Sequence, residues 1–521
     1  MNNTEKTLKN SAISVFAQVC TLLLQFVNRR IFVHYLNIEY LGYQSVFGNV
    51  FGLLSVAELG IGSIISYQLY KEVVDNNQVE IGKLMYLYKW LYRIVAGIVL
   101  LAGLVCYFFL PAFVKDANVG WDYLYLIYFL QLSGVIAGYF LSYKRIMFIA
   151  TQQEYKCVKV DLYINICIQV LQLIFLALFR NYIVYLSIQL STGIISNIII
   201  SVKTNNEFPY LRKSYNVSKK DIKSRNILGD IGNLLIHKIS YVVYGGTDNI
   251  IISAFCGIRQ VALFGNYMMV HTGVMQVLFY KLLNPVQATI GNIVYSKRSK
   301  EELWDQFQTL DVFSFFFATY IGIGFFVFYQ PFIQLWMGRD YLLPFSFVII
   351  HSILIYLGAV FEIVYKYRCV FGDYKQDRWY MVLSALLNVG ISIAGAKHFG
   401  VTGVIFGTLI AFLPIAIGRI KFVIKGFFHK SISRYITKHA ILLCIASGEA
   451  YIVWIITKAL PITIIGFIIR IIPYIIVPLI INVMIFHKNK YYKAMVIHLR
   501  SMMSIIVSKA RMIKRWKNRK H

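Results

Sequence analysis

The sequence predicts an all-α polytopic membrane protein: fourteen transmembrane helices, set out as two pseudo-symmetric six-helix lobes and a C-terminal helical hairpin. Three observations carry that expectation. Apolar stretches of membrane length recur along the chain, basic residues segregate to one set of connecting loops, and the two halves match at a fixed offset.

The apolar stretches come first. Hydrophobic residues make up 58% of the chain and charged residues only 14%, against about 25% charged in a soluble domain. Mean hydropathy is +0.63. Runs of about 20 apolar residues, enough to cross roughly 30 Å of hydrocarbon, lie near 11–36, 41–68, 91–112, 121–142, 160–179, 183–202, 227–256, 262–294, 308–329, 343–365, 379–396, 401–418, 437–457 and 462–485. The first run is too long for the core of a cleavable signal and reads as a span. The seven cysteines form no CxxC pair and read as packing residues.

Basic residues then orient the chain. With fourteen spans, 41 of the 52 Lys and Arg residues fall on the side of the N-terminus and six on the other. Cytoplasmic loops carry that excess, so both termini are expected in the cytoplasm. The net charge of +29 is accounted for by loops facing an anionic leaflet, and no nucleic-acid partner is expected. The tail after residue 485 mixes apolar residues with Lys and Arg, as an amphipathic helix lying on membrane lipids does.

The halves align at an offset of 223 residues. Leu41-Gly42 meets Phe264-Gly265, Arg145 meets Arg368, Phe148 meets Phe371, Gln153-Glu154 meets Gln376-Asp377, and Asn165 meets Asn388. Six spans per repeat keep the two copies in the same orientation, related by an axis along the membrane normal. The expected division is an N-lobe at 1–202, a cytoplasmic linker at 203–226, a C-lobe at 227–430, a hairpin at 431–485 and a basic tail at 486–521. Two such lobes leave a cleft that opens to each side in turn.

Charges inside spans are costly and mark function or a partner. Arg29 and Arg30 lie toward the outer end of span 1, and Lys238 lies near the middle of span 7. Lys281 lies in span 8. These four are the candidate cavity cations, suited to an anionic substrate. Asp248 reaches a height similar to that of the two arginines and is a candidate to pair with them. The repeat offset places Glu58 opposite Lys281, a candidate gate. His237, His271 and Glu362 are candidates for ion coupling, with packing as the plainer role for the histidines. Gly245-Gly246, just before Asp248, is a candidate hinge, and Arg470 in the hairpin reads equally as an edge or snorkelling residue and as a functional one.

On these residues the chain resembles a known family. The Lys-rich opening before a polar-spotted first span, Tyr40-Leu41-Gly42-Tyr43, and Thr247-Asp248-Asn249-Ile250-Ile251-Ile252 followed by Phe264-Gly265-Asn266-Tyr267 are similar to Wzx-type oligosaccharide flippases of the multidrug/oligosaccharidyl-lipid/polysaccharide exporter superfamily. The resemblance covers about residues 1–430. It implies two six-helix lobes around a cationic cavity and movement of an undecaprenyl-diphosphate-linked glycan to the outer leaflet, for capsule or O-antigen-type polysaccharide. A polysaccharide polymerase is then an expected partner, and H+ or Na+ an expected coupling ion. Fourteen spans also occur in the related lipid II flippases.

Three rival functions remain open: a lipid II flippase, a multidrug or cation exporter of the same superfamily, and a membrane glycosyltransferase or polymerase. An exporter of organic cations would favour carboxylates over the basic residues found here. The short outer loops give an enzyme little room. There is no GxxxxGK[ST] or HExxH motif, so a transporter without catalytic residues, cofactor or metal is expected.

Overall fold

A computed structural model describes residues 3–58, 61–213, 215, 217, 239–280, 286–287, 290–292, 294, 299–371, 377–498, 500 and 501. Among these there is no strand, and helices account for nearly all of the chain. Lys238, His237 and Lys281, together with parts of the linker and tail, lie outside the described residues.

The helices are α1 (Asn3–Tyr35), α2 (Glu39–Leu54), α3 (Ile61–Val74), α4 (Gln78–Tyr107), α5 (Leu110–Phe113), α6 (Trp121–Ser142), α7 (Arg145–Ala150), α8 (Tyr155–Phe179) and α9 (Tyr182–Glu207). They continue as α10 (Asp248–Cys256), α11 (Ile258–Val274), α12 (Lys300–Trp336), α13 (Phe345–Val360), α14 (Glu362–Phe371), α15 (Arg378–Ile420), α16 (Ile432–Thr457) and α17 (Ile464–Phe486). Side-chain caps set several starts. Asn77 accepts from the Glu80 amide, Asn181 from those of Ile183 and Val184, and Ser299 with Glu302 forms a capping box.

Among the described residues, eight helical segments are by themselves long and apolar enough to cross a membrane, and nine if the bent pair α13–α14 counts as one span. Parts of the expected seventh and eighth spans lie outside the described residues, and several expected spans are broken. The expected second span is interrupted by a 3-10 turn at Ser55–Glu58, the seventh bends at Thr247, and the eighth passes into π-helix at Met275–Tyr280. α15 merges two of the expected spans. It turns back at Gly400, whose φ of 60° suits glycine, so that Gly395 meets Gly403 and Ser392 meets Gly407.

The chain folds into two compact units: Met1–Leu282 with Arg378–Ala411, and Leu283–Asp377 with Phe412–His521. In the first, α1 packs on α8, α8 on α9, α6 on α4 and α9, and α11 on α2. One of its cores joins Ile65 and Leu69 of α3 to Leu84, Tyr88, Val95 and Val99 of α4 and Met147 of α7. Arg145 of α7 makes a two-pronged pair with Asp161 at 2.8 Å and also donates to Asn197 and Ser196.

In the second unit α12 packs on α13, α16 and α17. Its core gathers Phe307, Ile363, Tyr367, Val423 and Tyr435. Asp311, fully buried, accepts from Lys438 at 2.6 Å and Tyr435 at 2.6 Å, with His439 at 3.2 Å, and so fastens α16 to α12. Arg368, which the 223-residue offset relates to Arg145, makes a buried two-pronged pair with Asp377. Arg470 is 3% exposed and donates to the carbonyls of Leu460 and Pro461, so its role is to tie down the turn of the hairpin.

Candidate functional site

The first unit contains a cavity of about 390 Å³ walled by α1, α2, α8, α9 and one residue of α11. Its polar lining follows helical spacing. Gln25, Asn28 and Arg29 come from α1; Asn165, Gln169 and Gln172 from α8; Tyr185, Gln189 and Thr192 from α9. Residues three or four apart share a helix face, so each otherwise apolar helix turns one polar stripe inward. Gln44 and Ser45 complete the wall from α2. Seven of the fourteen lining residues are amides, one is basic and none is acidic.

Part of this lining is locked. The Tyr185 hydroxyl donates to Asn28 Oδ1 at 3.0 Å, Asn28 Nδ2 to Gln172 Oε1 at 3.4 Å, and Gln172 Nε2 to the Tyr185 carbonyl at 3.4 Å. Phe32, Tyr182 and Tyr40 pack behind Tyr185. Among the described residues, the buried Oε1 atoms of Gln169 and Gln189 have no hydrogen-bond partner, a costly state that a ligand's donors relieve.

Arg29 sits where this cavity meets α11. Its Nε donates to Asn266 Oδ1 at 2.5 Å and its Nη2 to the Ala262 carbonyl at 3.2 Å. Arg30, the next residue, is exposed. α11 approaches closely because Gly257, at φ 92°, starts it and because Gly42 leaves room: a Cβ there would lie 2.5 Å from the Ile258 carbonyl oxygen. Asn49 Nδ2 donates to the Gly246 carbonyl at 3.0 Å in the same region.

Asp248, expected to face the arginines, takes another partner. Both its carboxylate oxygens lie 3.2–3.3 Å from Thr408 Oγ1. Asn388 joins them, donating to Thr408 at 3.0 Å and accepting from Thr247 at 3.0 Å. The repeat offset of 223 relates Asp248 to Gln25, Asn388 to Asn165 and Thr408 to Tyr185. Positions related by that offset thus carry polar side chains in both clusters.

The other expected residues are placed as follows. Glu58 accepts from the Tyr92 hydroxyl, which accepts in turn from Tyr88 at 2.8 Å. Its proposed partner Lys281 lies outside the described residues, as do the cavity cation Lys238 and its neighbour His237. His271 is half-buried on α11, two residues from Met269 of the cavity wall. Glu362 follows the bend between α13 and α14 and pairs with Lys366 at 3.2 Å, within the second unit. The helical turn that includes Gly245 and Gly246 ends at Thr247, where the chain bends before Asp248. A Cβ at Gly245 would meet nothing within 4 Å, and at Gly246 only Leu53 at 3.5 Å. Among the described residues no cluster of His, Cys, Asp and Glu has the makings of a metal site.

The amide stripe is the main feature that charge-based reading misses. Its signal, Asn165-x3-Gln169-x2-Gln172 within an apolar run, is present in the sequence.

No protein-family pattern and no curated relative matches the sequence. Solved structures do. A lipid II flippase, MurJ, in an inward closed conformation superposes with a TM-score of 0.68 at 13% identity, covering 92% of this chain and 99% of that one. A variant of the Vibrio cholerae MATE transporter VcmN gives 0.52 at 13% identity over 80% and 96% of the two chains. An inward-facing multidrug resistance MATE family transporter of the MOP superfamily gives 0.52 at 12% identity over 79% and 98%. At these identities the likeness is one of fold. The chain is a multi-pass membrane protein with the fold of these transporters.

Proposed function

We propose that this chain is a flippase of the Wzx type, which moves an undecaprenyl-diphosphate-linked oligosaccharide from the inner to the outer leaflet of a bacterial plasma membrane for cell-surface polysaccharide. The observation that carries this reading is the cavity of the first unit: amide-rich, bordered by Arg29 and without a carboxylate. Amides and hydroxyls bind sugar hydroxyls in both directions, while an arginine edge suits phosphate oxygens. Absence of acid from that lining weighs against an exporter of organic cations.

On this reading the protein has fourteen spans in two six-helix lobes plus a hairpin, with both termini cytoplasmic. Arg29 and Arg30, with Lys238 and Lys281, are the cations that steady the diphosphate, and the polyprenyl tail stays in lipid. Glu58 acts as a gate, and Gly245-Gly246 lets the seventh span flex. Outward movement of anionic charge is favoured by about 2.3 kcal/mol per charge per 100 mV, inside negative. The Thr247-Asp248-Asn388-Thr408 cluster offers oxygen ligands to a coupling H+ or Na+, with His237, His271 and Glu362 as further coupling candidates. Neither chemistry nor a cofactor is needed, and a polysaccharide polymerase would receive the product.

A second reading, transport of lipid II, is favoured by the fold shared with MurJ over 92% of the chain. Both cargoes present a polyprenyl-linked diphosphate and sugar. Mass analysis of the polyprenyl-diphosphate lipids in cells lacking this chain tests the choice. Build-up of a repeat-unit glycan lipid supports the first reading and build-up of lipid II alone supports the second; no build-up of either would refute both.

A further inference from the structure

The first unit has a second cavity, of about 420 Å³, away from the amide-lined one, and its wall contains Lys89, Lys144, Arg212 and Lys213 with no carboxylate. These cations come from three separate stretches of sequence: α4, the junction of α6 and α7, and the segment after α9. Two of them bond to neutral amides. Lys144 Nζ donates to Asn205 Oδ1 at 2.7 Å, and Arg212 Nη2 to Asn206 Oδ1 at 2.6 Å. Among the described residues none of the four makes an ion pair.

Lys89 and Lys144 are half-buried in the wall, and the exposed Arg212 and Lys213 stand at its rim. Partial burial, with Lys89 and Arg212 alongside, lowers the Lys144 pKa from its ordinary value, so the site is short of negative charge. One wall is built with close tolerance. The Tyr215 ring lies directly on Gly82, where any Cβ would come within 2.1 Å of it, and the Tyr215 hydroxyl donates to the Tyr210 carbonyl at 2.8 Å. A concave site with convergent cations and hydroxyls focuses potential on an anion and suits the oxygens of phosphate.

We infer that this basic cavity binds a phosphate-bearing anion on the side of the membrane where the basic loops gather, as a site separate from the amide-lined cavity. The inference holds whichever cargo is carried. Two sources share the chemistry, an anionic lipid headgroup and a water-soluble or lipid-linked diphosphate, and the test separates them.

The measurement is thermal stability of the full-length purified chain with two probes: inorganic pyrophosphate in detergent, and nanodiscs of phosphatidylcholine with or without phosphatidylglycerol. For the wild type at low salt, Tm rises with at least one probe. In Lys89→Gln/Lys144→Gln the same response requires about tenfold more probe or is lost, as expected for removal of two charges near an anionic group. In Lys71→Gln, which removes an exposed basic charge outside the cavity, it is kept. A response to phosphatidylglycerol alone identifies a headgroup site, to pyrophosphate alone a soluble-diphosphate site, and to both a site that takes either. Should the double variant not fold, Gly82→Ala, which displaces Tyr215, is expected to weaken the same response. Equal responses in wild type and these variants, no response in the wild type, or an equal loss in Lys71→Gln would overturn the inference.

Discussion

Gly42→Ala offers a sharp perturbation of the contact between α2 and α11. The new Cβ would lie 2.5 Å from the Ile258 backbone oxygen and 2.9 Å from Ile258 Cγ1, against 3.4–4 Å for ordinary contact. A backbone atom cannot swing aside as a side-chain tip can, so the two helices must part by roughly 1 Å. Overpacking of this kind costs about 1–3 kcal/mol, which shifts the balance between this close packing and any state that separates α2 from α11 by about 5- to 150-fold. The assay is disulfide formation between Ser45→Cys and Gly265→Cys in a background free of other cysteines, since a Cβ at Gly265 would lie 3.9 Å from Ser45 Oγ. Its initial rate is expected to fall on introducing Gly42→Ala and to stay unchanged with Gly48→Ala, where a Cβ meets nothing within 4 Å. Equal rates in all three backgrounds would refute the argument that Gly42 sets this approach.

Other perturbations separate structural from transport roles. Asp311→Asn removes the buried acceptor shared by Lys438, Tyr435 and His439 and should destabilise the second unit by about 3–5 kcal/mol, seen as a lower Tm in detergent; Asp305→Asn, at an exposed pair with Lys490, should change stability by less than about 0.5 kcal/mol. Gly245→Ala, sterically open, should leave Tm unchanged or slightly raised while slowing transport if the glycine pair acts as a hinge, and transport at the wild-type rate would remove that role. Asp248→Asn keeps the hydrogen bond to Thr408 within reach but deletes the charge, so transport in proteoliposomes should lose its dependence on pH or Na+ gradients, and an unchanged gradient dependence would exclude the cluster from coupling.

Much of the architecture was legible because hydrocarbon imposes a length and a composition that any span must meet. The breaks were less so. Gly400 shows how a single glycine turns a helix back on itself, and the sequence marks that place between two apolar runs. By contrast, the interruptions at Ser55–Glu58 and in the π-helix at Met275–Tyr280 depend on neighbours that only folding supplies. At the site, Arg29 stood out because a formal charge in a span is conspicuous. Gln169, Gln172 and Gln189 did not, since amides carry no charge and their meaning lies in facing one another across α8 and α9. The repeat offset found Asn165 and Asn388, but the link from Tyr185 to Thr408 joins unlike residues and emerges only once both are seen bonded to the same kind of neighbour. Asp248 and Arg470 share a feature that a sequence does not display. Their partners are a hydroxyl and two backbone carbonyls, and neither kind of partner is visible to a search for opposite charges.

The most direct test of the cavity's role is flipping of a purified undecaprenyl-diphosphate glycan in proteoliposomes, comparing wild type with Arg29→Gln and Gln169→Leu/Gln189→Leu. Loss of one charge-assisted hydrogen bond to a phosphate oxygen, about 1.5–3 kcal/mol, predicts that Arg29→Gln lowers the rate at least tenfold, and that removing the Gln169 and Gln189 amides weakens apparent affinity for the glycan. Wild-type rates and affinity in both folded variants would contradict passage of the headgroup through this cavity.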